Sequence, residues 1–216
     1  MAINIEKYKA LLAALNKNTI LVAVSKTKPN EDIQALYNLG QRDFGENYVQ
    51  ELADKEAVLP KDINWHFIGH LQSNKVKAIA PFVHLIHGVD SISLLKEIDK
   101  QALKNNRIID CLLQMHIAKE ETKFGMDTIE LNEVMNNIST YKNIRITGLM
   151  GMASHTSDRE IVSAEFKQLH DLFITSPQFT TLSMGMSGDY KIAEEQGSNM
   201  IRIGSLLFGE RNYKTS

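Results

Sequence analysis

Leu21-Val22-Ala23-Val24-Ser25-Lys26-Thr27-Lys28-Pro29 is the stretch on which the reading of this chain turns. Four apolar residues in a row predict a strand buried on both faces, as in parallel sheets covered by helices. A lysine follows at once, and a proline closes the element. This order places an amine at the mouth of a core. Burial disfavours the ammonium form, so a desolvated lysine becomes a nucleophile able to form a Schiff base with a carbonyl. Taken alone, Lys26 is more simply a strand-end lysine reaching solvent. The rest of the chain has to decide between the two.

Outward from this stretch, helical and strand patterns alternate. Ile5, Tyr8, Leu11, Leu12 and Leu15 recur at helical spacing and predict a helix over 4–16 that covers the bottom of the fold, with a structural role only. Strand one is placed at 20–25. Asn30 is expected to cap the next helix, with Glu31 and Asp32 in its first turn and Gly40 at its end. Further strands are placed at 43–47, 64–68, 82–87, 108–115, 144–150, 180–184 and 200–203. Helices are expected at about 48–58, 74–79, 92–104 (capped by Ser91), 127–138, 158–174 and 189–196. Eight strands, each but the last followed by a helix, imply a parallel sheet of the α/β class. That count and this length fit a single (β/α)8 barrel domain over 1–216. A doubly wound open sheet is the alternative; it is weakened because no G-x-G-x-x-G follows the first strand.

Composition narrows the function classes. The 24 basic and 26 acidic residues nearly balance, so no nucleic-acid surface is indicated. The one cysteine, Cys111, sits in an apolar run and reads as core. The N-terminus is too polar for a signal peptide, and no apolar run spans a bilayer. A cytoplasmic protein without a membrane partner is expected.

In (β/α)8 barrels the active site forms at the carboxyl ends of the strands, and phosphate commonly sits on the loops after strands seven and eight. Here those loops are Ser183-Met184-Gly185-Met186-Ser187-Gly188-Asp189 and Arg202-Ile203-Gly204-Ser205. Glycines let backbone N–H groups approach an anion, Ser187 can donate, and a helix is expected to open near Asp189. Gly204 and Ser205 offer two more donors. An ordinary N-cap serine in a glycine-rich turn would explain the first loop as well. Strand one neighbours strand eight in a closed barrel, however, so Lys26 would lie beside this cradle with Arg202 between them. An imine-forming amine next to a phosphate cradle is what pyridoxal 5′-phosphate requires.

Five segments carry a family resemblance: Ala23–Pro29, Phe44–Glu51, His66–Lys75, Ser183–Ser187 and Ile201–Ser205. Together they resemble the pyridoxal-phosphate homeostasis proteins, relatives of the alanine racemase N-terminal barrel. The resemblance implies that Lys26 holds the cofactor as a Schiff base. It implies that Ser187, Gly204 and Ser205 hold the phosphate, that Arg202 faces the pyridine nitrogen, and that Asn47 lies near the cofactor. It further implies a monomeric carrier or buffer of pyridoxal phosphate within vitamin B6 homeostasis, with apo pyridoxal-phosphate enzymes as partners and no established catalysis. An arginine is a poor proton donor to the ring, and no second domain of the racemase kind is expected after Ser205.

Three other readings compete. A racemase-like or decarboxylase-like enzyme would take its missing acid from Tyr48, His66, His70 or Lys123. A cofactor-free aldolase would also use a Schiff-base lysine, though usually on a later strand. A metal hydrolase would need ligands such as His66 with His70, or His84 with His87, but the first pair is split by a strand and a turn and the second by an apolar strand pair. No metal is therefore expected. Lys28 is assigned to solvent, and Met150, Met152, Met184 and Met186 to core filling, with a few of them lining one face of the cofactor.

Overall fold

β1 (Ile20–Val24) pairs in parallel with both β2 (Asp43–Glu46) and β8 (Met200–Ile203). Between them run β3 (Asn64–Phe67), β4 (Leu85–Val89), β5 (Ile109–Gln114), β6 (Ile144–Met150) and β7 (Thr181–Ser183), closing a barrel in chain order. The helices are α1 (Ile5–Ala14), α2 (Asn30–Asn38), α3 (Val49–Val58), α4 (Val76–Ile79), α5 (Ile92–Lys104), α6 (Thr128–Asn136), α7 (Arg159–Phe173), α8 (Tyr190–Glu195) and α9 (Ser205–Phe208). The computed structural model describes residues 3–120 and 124–209.

Strand alternation separates two packed layers. Leu21, Ala23, Cys111, Leu113, Leu149 and Ile201 face outward and join the helices in one large cluster. Val22, Leu85, Leu112, Met150 and Met200, one residue out of phase, form a second cluster inside the barrel. Beside this inner cluster runs a polar column of His66, His87, Ser183 and Arg202, all buried. Cys111 lies in the outer layer, and burial pushes its thiol well above the usual range.

Several features differ from the pattern reading. β4 begins at Leu85 rather than Phe82 because the backbone of Phe82 and Val83 turns back to bond the Ile79 carbonyl. It then carries Gly88 inside the strand, where a Cβ would stand 2.6 Å from the Gly69 carbonyl oxygen. Asn30 is the first residue of α2 and Pro29 its cap, without a side-chain bond. Lys28 is not left to solvent, since its Nζ donates to the Phe208 carbonyl at 3.0 Å, at the end of α9. That short helix is absent from the pattern reading. α1 packs against α9, and its Tyr8 hydroxyl reaches Gln41 at 3.2 Å, near the amino ends of β1 and β2.

A register shift follows Cys111 in the β5–β6 pair, and it sets Gly148 against Thr181 of β7. A Cβ at Gly148 would fall 1.8 Å from the Thr181 carbonyl oxygen, so backbone would have to move. Gly148→Ala is expected to destabilise the fold by about 1–3 kcal/mol, the range for overpacking. Urea denaturation checks this; an unchanged midpoint would show that the β6–β7 spacing is soft.

Candidate functional site: a cleft at the carboxyl end of the barrel

Lys26 follows β1 in a tight turn that is clamped from below. The Ser25 hydroxyl donates to Glu46 Oε1 at 2.6 Å. Lys55, from α3, donates to the Ser25 carbonyl at 2.8 Å, to Glu46 Oε1 at 2.8 Å and to Glu51 Oε1 at 2.7 Å. Glu51 also accepts from the Thr27 N–H at 2.6 Å, holding Thr27 at φ +61°. That conformation is uncommon for a non-glycine residue and persists here because its neighbours fix it. Burial lifts the Glu46 carboxyl above its usual range, and the Lys55 charge pulls it back. The turn that presents Lys26 therefore rests on a buried ion cluster.

Lys26 opens into a cleft of about 560 Å³. Asn47, Ser187, Arg202, Gly204 and Ser205 line the same cleft, so the six residues singled out from the sequence converge on one place. Each comes from the carboxyl end of a strand or the loop beyond it. Asn47 follows β2, and the Gly69 backbone packs so closely that a Cβ there would lie 2.4 Å from the Asn47 carbonyl oxygen. The loops after β7 and β8 meet where the Gly204 N–H points at Ser187 Oγ, 3.3 Å away. Gly185 shapes the first of them: its φ is +96°, and a Cβ would press within 2.6 Å of Ala193. Asp189 accepts the Met186 N–H at 2.6 Å and tightens the same turn.

Arg202 forms the floor. Its Nη1 donates to the Ser183 carbonyl at 2.9 Å and to Ser183 Oγ at 2.7 Å, and its Nη2 donates to the Gly151 carbonyl at 3.0 Å. Burial lowers its pKa to about 10, which still leaves a cation at neutral pH. From Ser183 the polar column continues through the barrel. Ser183 Oγ lies 3.1 Å from His87 Nδ1, His87 Nε2 lies 2.9 Å from His66 Nδ1, and His66 Nε2 lies 3.0 Å from Asp43 Oδ1. Asp43 can only accept, so His66 Nε2 donates to it. His66 Nδ1 then accepts from His87 Nε2, and His87 Nδ1 accepts from the Ser183 hydroxyl. Burial holds His87 far below the usual imidazole range, consistent with one proton on its ring.

The acids considered for a catalytic reading fall elsewhere. His66 lies in this column, Tyr48 is exposed at the start of α3, and His70 bonds Asp90 at 2.8 Å and stacks on Phe124. Lys123 lies outside the described residues. Of the four methionines singled out from the sequence, Met152 and Met186 line the cleft, whereas Ser154, His155 and Thr156 of the loop after β6, which line it too, were missed. A polar run after a predicted strand was their one signal.

The residues fit pyridoxal phosphate. Asn47 Oδ1 is buried without a hydrogen-bond partner among the described residues, and such an atom asks for a donor from the cleft. A lysine suited to an aldehyde, a buried cation and a serine–amide cradle surround a space of the size usual for small cofactors.

Comparison with known proteins agrees with this architecture. The family profile described as alanine racemase, N-terminal domain, matches residues 1–212. An alanine racemase from Bartonella henselae shares the fold, with a TM-score of 0.71 over 93% of this chain and 56% of that one, at 20% identity. Within that class, the chain belongs to the pyridoxal phosphate homeostasis protein family. A family member from Aquifex aeolicus is 41% identical over 89% of this chain and 87% of its own length. The structure of PipY from Synechococcus elongatus, with pyridoxal phosphate bound, superposes with a TM-score of 0.87 at 36% identity, covering 94% of this chain and 99% of that one.

Proposed function

We propose that the chain holds pyridoxal 5′-phosphate in this cleft as a Schiff base on Lys26 and serves vitamin B6 homeostasis as a carrier or buffer. The observation that carries the reading is the convergence of Lys26, Asn47, Ser187, Arg202, Gly204 and Ser205 on one cleft. Ser187 and the Gly204 and Ser205 amides take the phosphate, and Arg202 faces the ring nitrogen. The bound group supplies an aldehyde to the amine and an electron sink to anything joined there.

The protein's own residues favour holding over turnover. The Arg202 pKa near 10 means that it keeps its proton at neutral pH, so it does not protonate a ring nitrogen, and a carboxylate in that place would support carbanion chemistry better. Its hydrogen bonds to Ser183 and Gly151 fix it in that role. The family's members are named for homeostasis, which supports the same reading. The setting proposed is the cytoplasm, with a single barrel domain acting as a monomer. The cargo would pass to apo pyridoxal-phosphate enzymes. Among the described residues no helix is long and apolar enough to cross a membrane.

Ser187→Ala removes one charge-assisted donor from the cradle. Cofactor retention, measured by dialysis of the loaded protein, is expected to weaken by about 1–3 kcal/mol. Retention equal to the parent's would take Ser187 out of the cradle.

A further inference from the structure

At the barrel end opposite the cleft, three neighbouring strands bring nitrogen and oxygen donors together. Asp43 opens β2, His66 stands on β3, and His84 immediately precedes β4. In the sheet register Gly45 aligns with His66, and His66 with Leu85. Asp43, His66 and His84 each offer one ligating atom, and these three atoms lie within 4.8 Å of one another. The Asp43 Oδ1 to His66 Nε2 distance is 3.0 Å, and the two imidazole centroids are 5.4 Å apart. Neither histidine pair visible in the sequence, His66 with His70 or His84 with His87, forms this group. The fold makes it across strands.

We propose that Asp43, His66 and His84 bind a divalent transition metal of the zinc class at the amino-terminal mouth of the barrel, with solvent completing the coordination. Two imidazoles and one carboxylate around an open position is a donor set that zinc accepts. The surroundings are built to hold it. His66 Nδ1 is fixed by His87 Nε2 at 2.9 Å, and His87 by Ser183 at 3.1 Å. An outer partner of this kind orients a metal-bound imidazole and sets its tautomer. With the metal on Nε2, His66 Nδ1 carries the ring proton and donates to His87 Nε2. His87 then carries its own proton on Nδ1, facing Ser183 Oγ.

The arm that carries His84 is also braced. Its N–H donates to the Trp65 carbonyl at 2.8 Å. Arg107 donates to the Ala80 and Val83 carbonyls at 2.7 and 2.8 Å, which ties its positive charge to the loop backbone. Asn64 Nδ2 donates to Asp43 Oδ1 at 3.1 Å and fixes the carboxylate plane. His84 itself is exposed, so the site opens to solvent.

The site is remote from the cofactor cleft, and its test is independent of the cofactor. The full chain, stripped with chelator, is titrated with cobalt(II) and then with zinc(II). Visible ligand-field bands that saturate at one equivalent and are bleached by zinc are expected. Elemental analysis after dialysis should give one zinc per chain. Asp43→Asn and His84→Ala, both at partly or fully exposed positions, are each expected to lower affinity at least tenfold while circular dichroism stays unchanged. Absence of the cobalt bands would overturn the proposal. So would parental affinity in His84→Ala, because the metal would then be held by other histidines.

Discussion

Lys26→Ala is expected to abolish the covalent cofactor adduct while leaving the barrel folded. The side chain points from a turn into the cleft and is only partly buried, so its truncation leaves no sealed core cavity. Lys28, two residues on, does not replace it, because its ammonium is bonded to the Phe208 carbonyl at 3.0 Å. Borohydride fixes a lysine Schiff base irreversibly, so the readout is all or none. Reduced, digested parent protein should carry the label on the peptide containing Lys26, and the variant should carry none at any single site. The phosphate contacts proposed for Ser187, Gly204 and Ser205 would remain, so the variant should still take up pyridoxal phosphate reversibly and more weakly. A stoichiometric reducible adduct in Lys26→Ala would move the covalent role to another amine.

Lys55→Ala is expected to produce the largest loss of stability of any single charge change near the cleft. Lys55 is buried beside Glu46, and both reach the Ser25 carbonyl or hydroxyl. Removing the ammonium leaves a fully buried carboxylate without its counter-charge and takes one of the two bonds from the Ser25 carbonyl, which the Lys28 N–H still bonds at 3.0 Å. Breaking a buried pair in this way costs about 3–5 kcal/mol. At this chain length that corresponds to a fall in melting temperature on the order of 10 °C. Adding Glu46→Gln to Lys55→Met removes both charges together, and the double variant should recover most of the loss. A Lys55→Ala protein that melts with the parent would show that the cluster is solvated rather than buried. Because the cluster also holds Thr27 through Glu51, cofactor retention should fall in the same variant.

The barrel was largely legible in the chain because each strand is a short apolar run between turn signals. β6 and β8 and the helix α5 with its Ser91 cap fall where the pattern places them. β4 did not, since Phe82-Val83-His84 reads as strand while the backbone prefers a turn and the close approach of Gly69 draws Gly88 into the sheet. The two cleft loops proposed to hold the phosphate stood out because glycines and a serine stand at fixed offsets from strands seven and eight. The support beneath Lys26 was not. Lys55 looks like one more charged residue of a surface helix, and nothing local says that it reaches across 30 residues to Ser25. The polar column through the barrel escaped for the same reason, as His66, His87 and Ser183 meet only once parallel strands are in register.

The assignment of the cleft is tested most directly by the absorption spectrum of the purified protein, before and after borohydride, with mass mapping of the modified peptide. A band near the visible edge that disappears on reduction, with the added mass on Lys26, is the expected result. No such band, even after addition of pyridoxal phosphate, would contradict it.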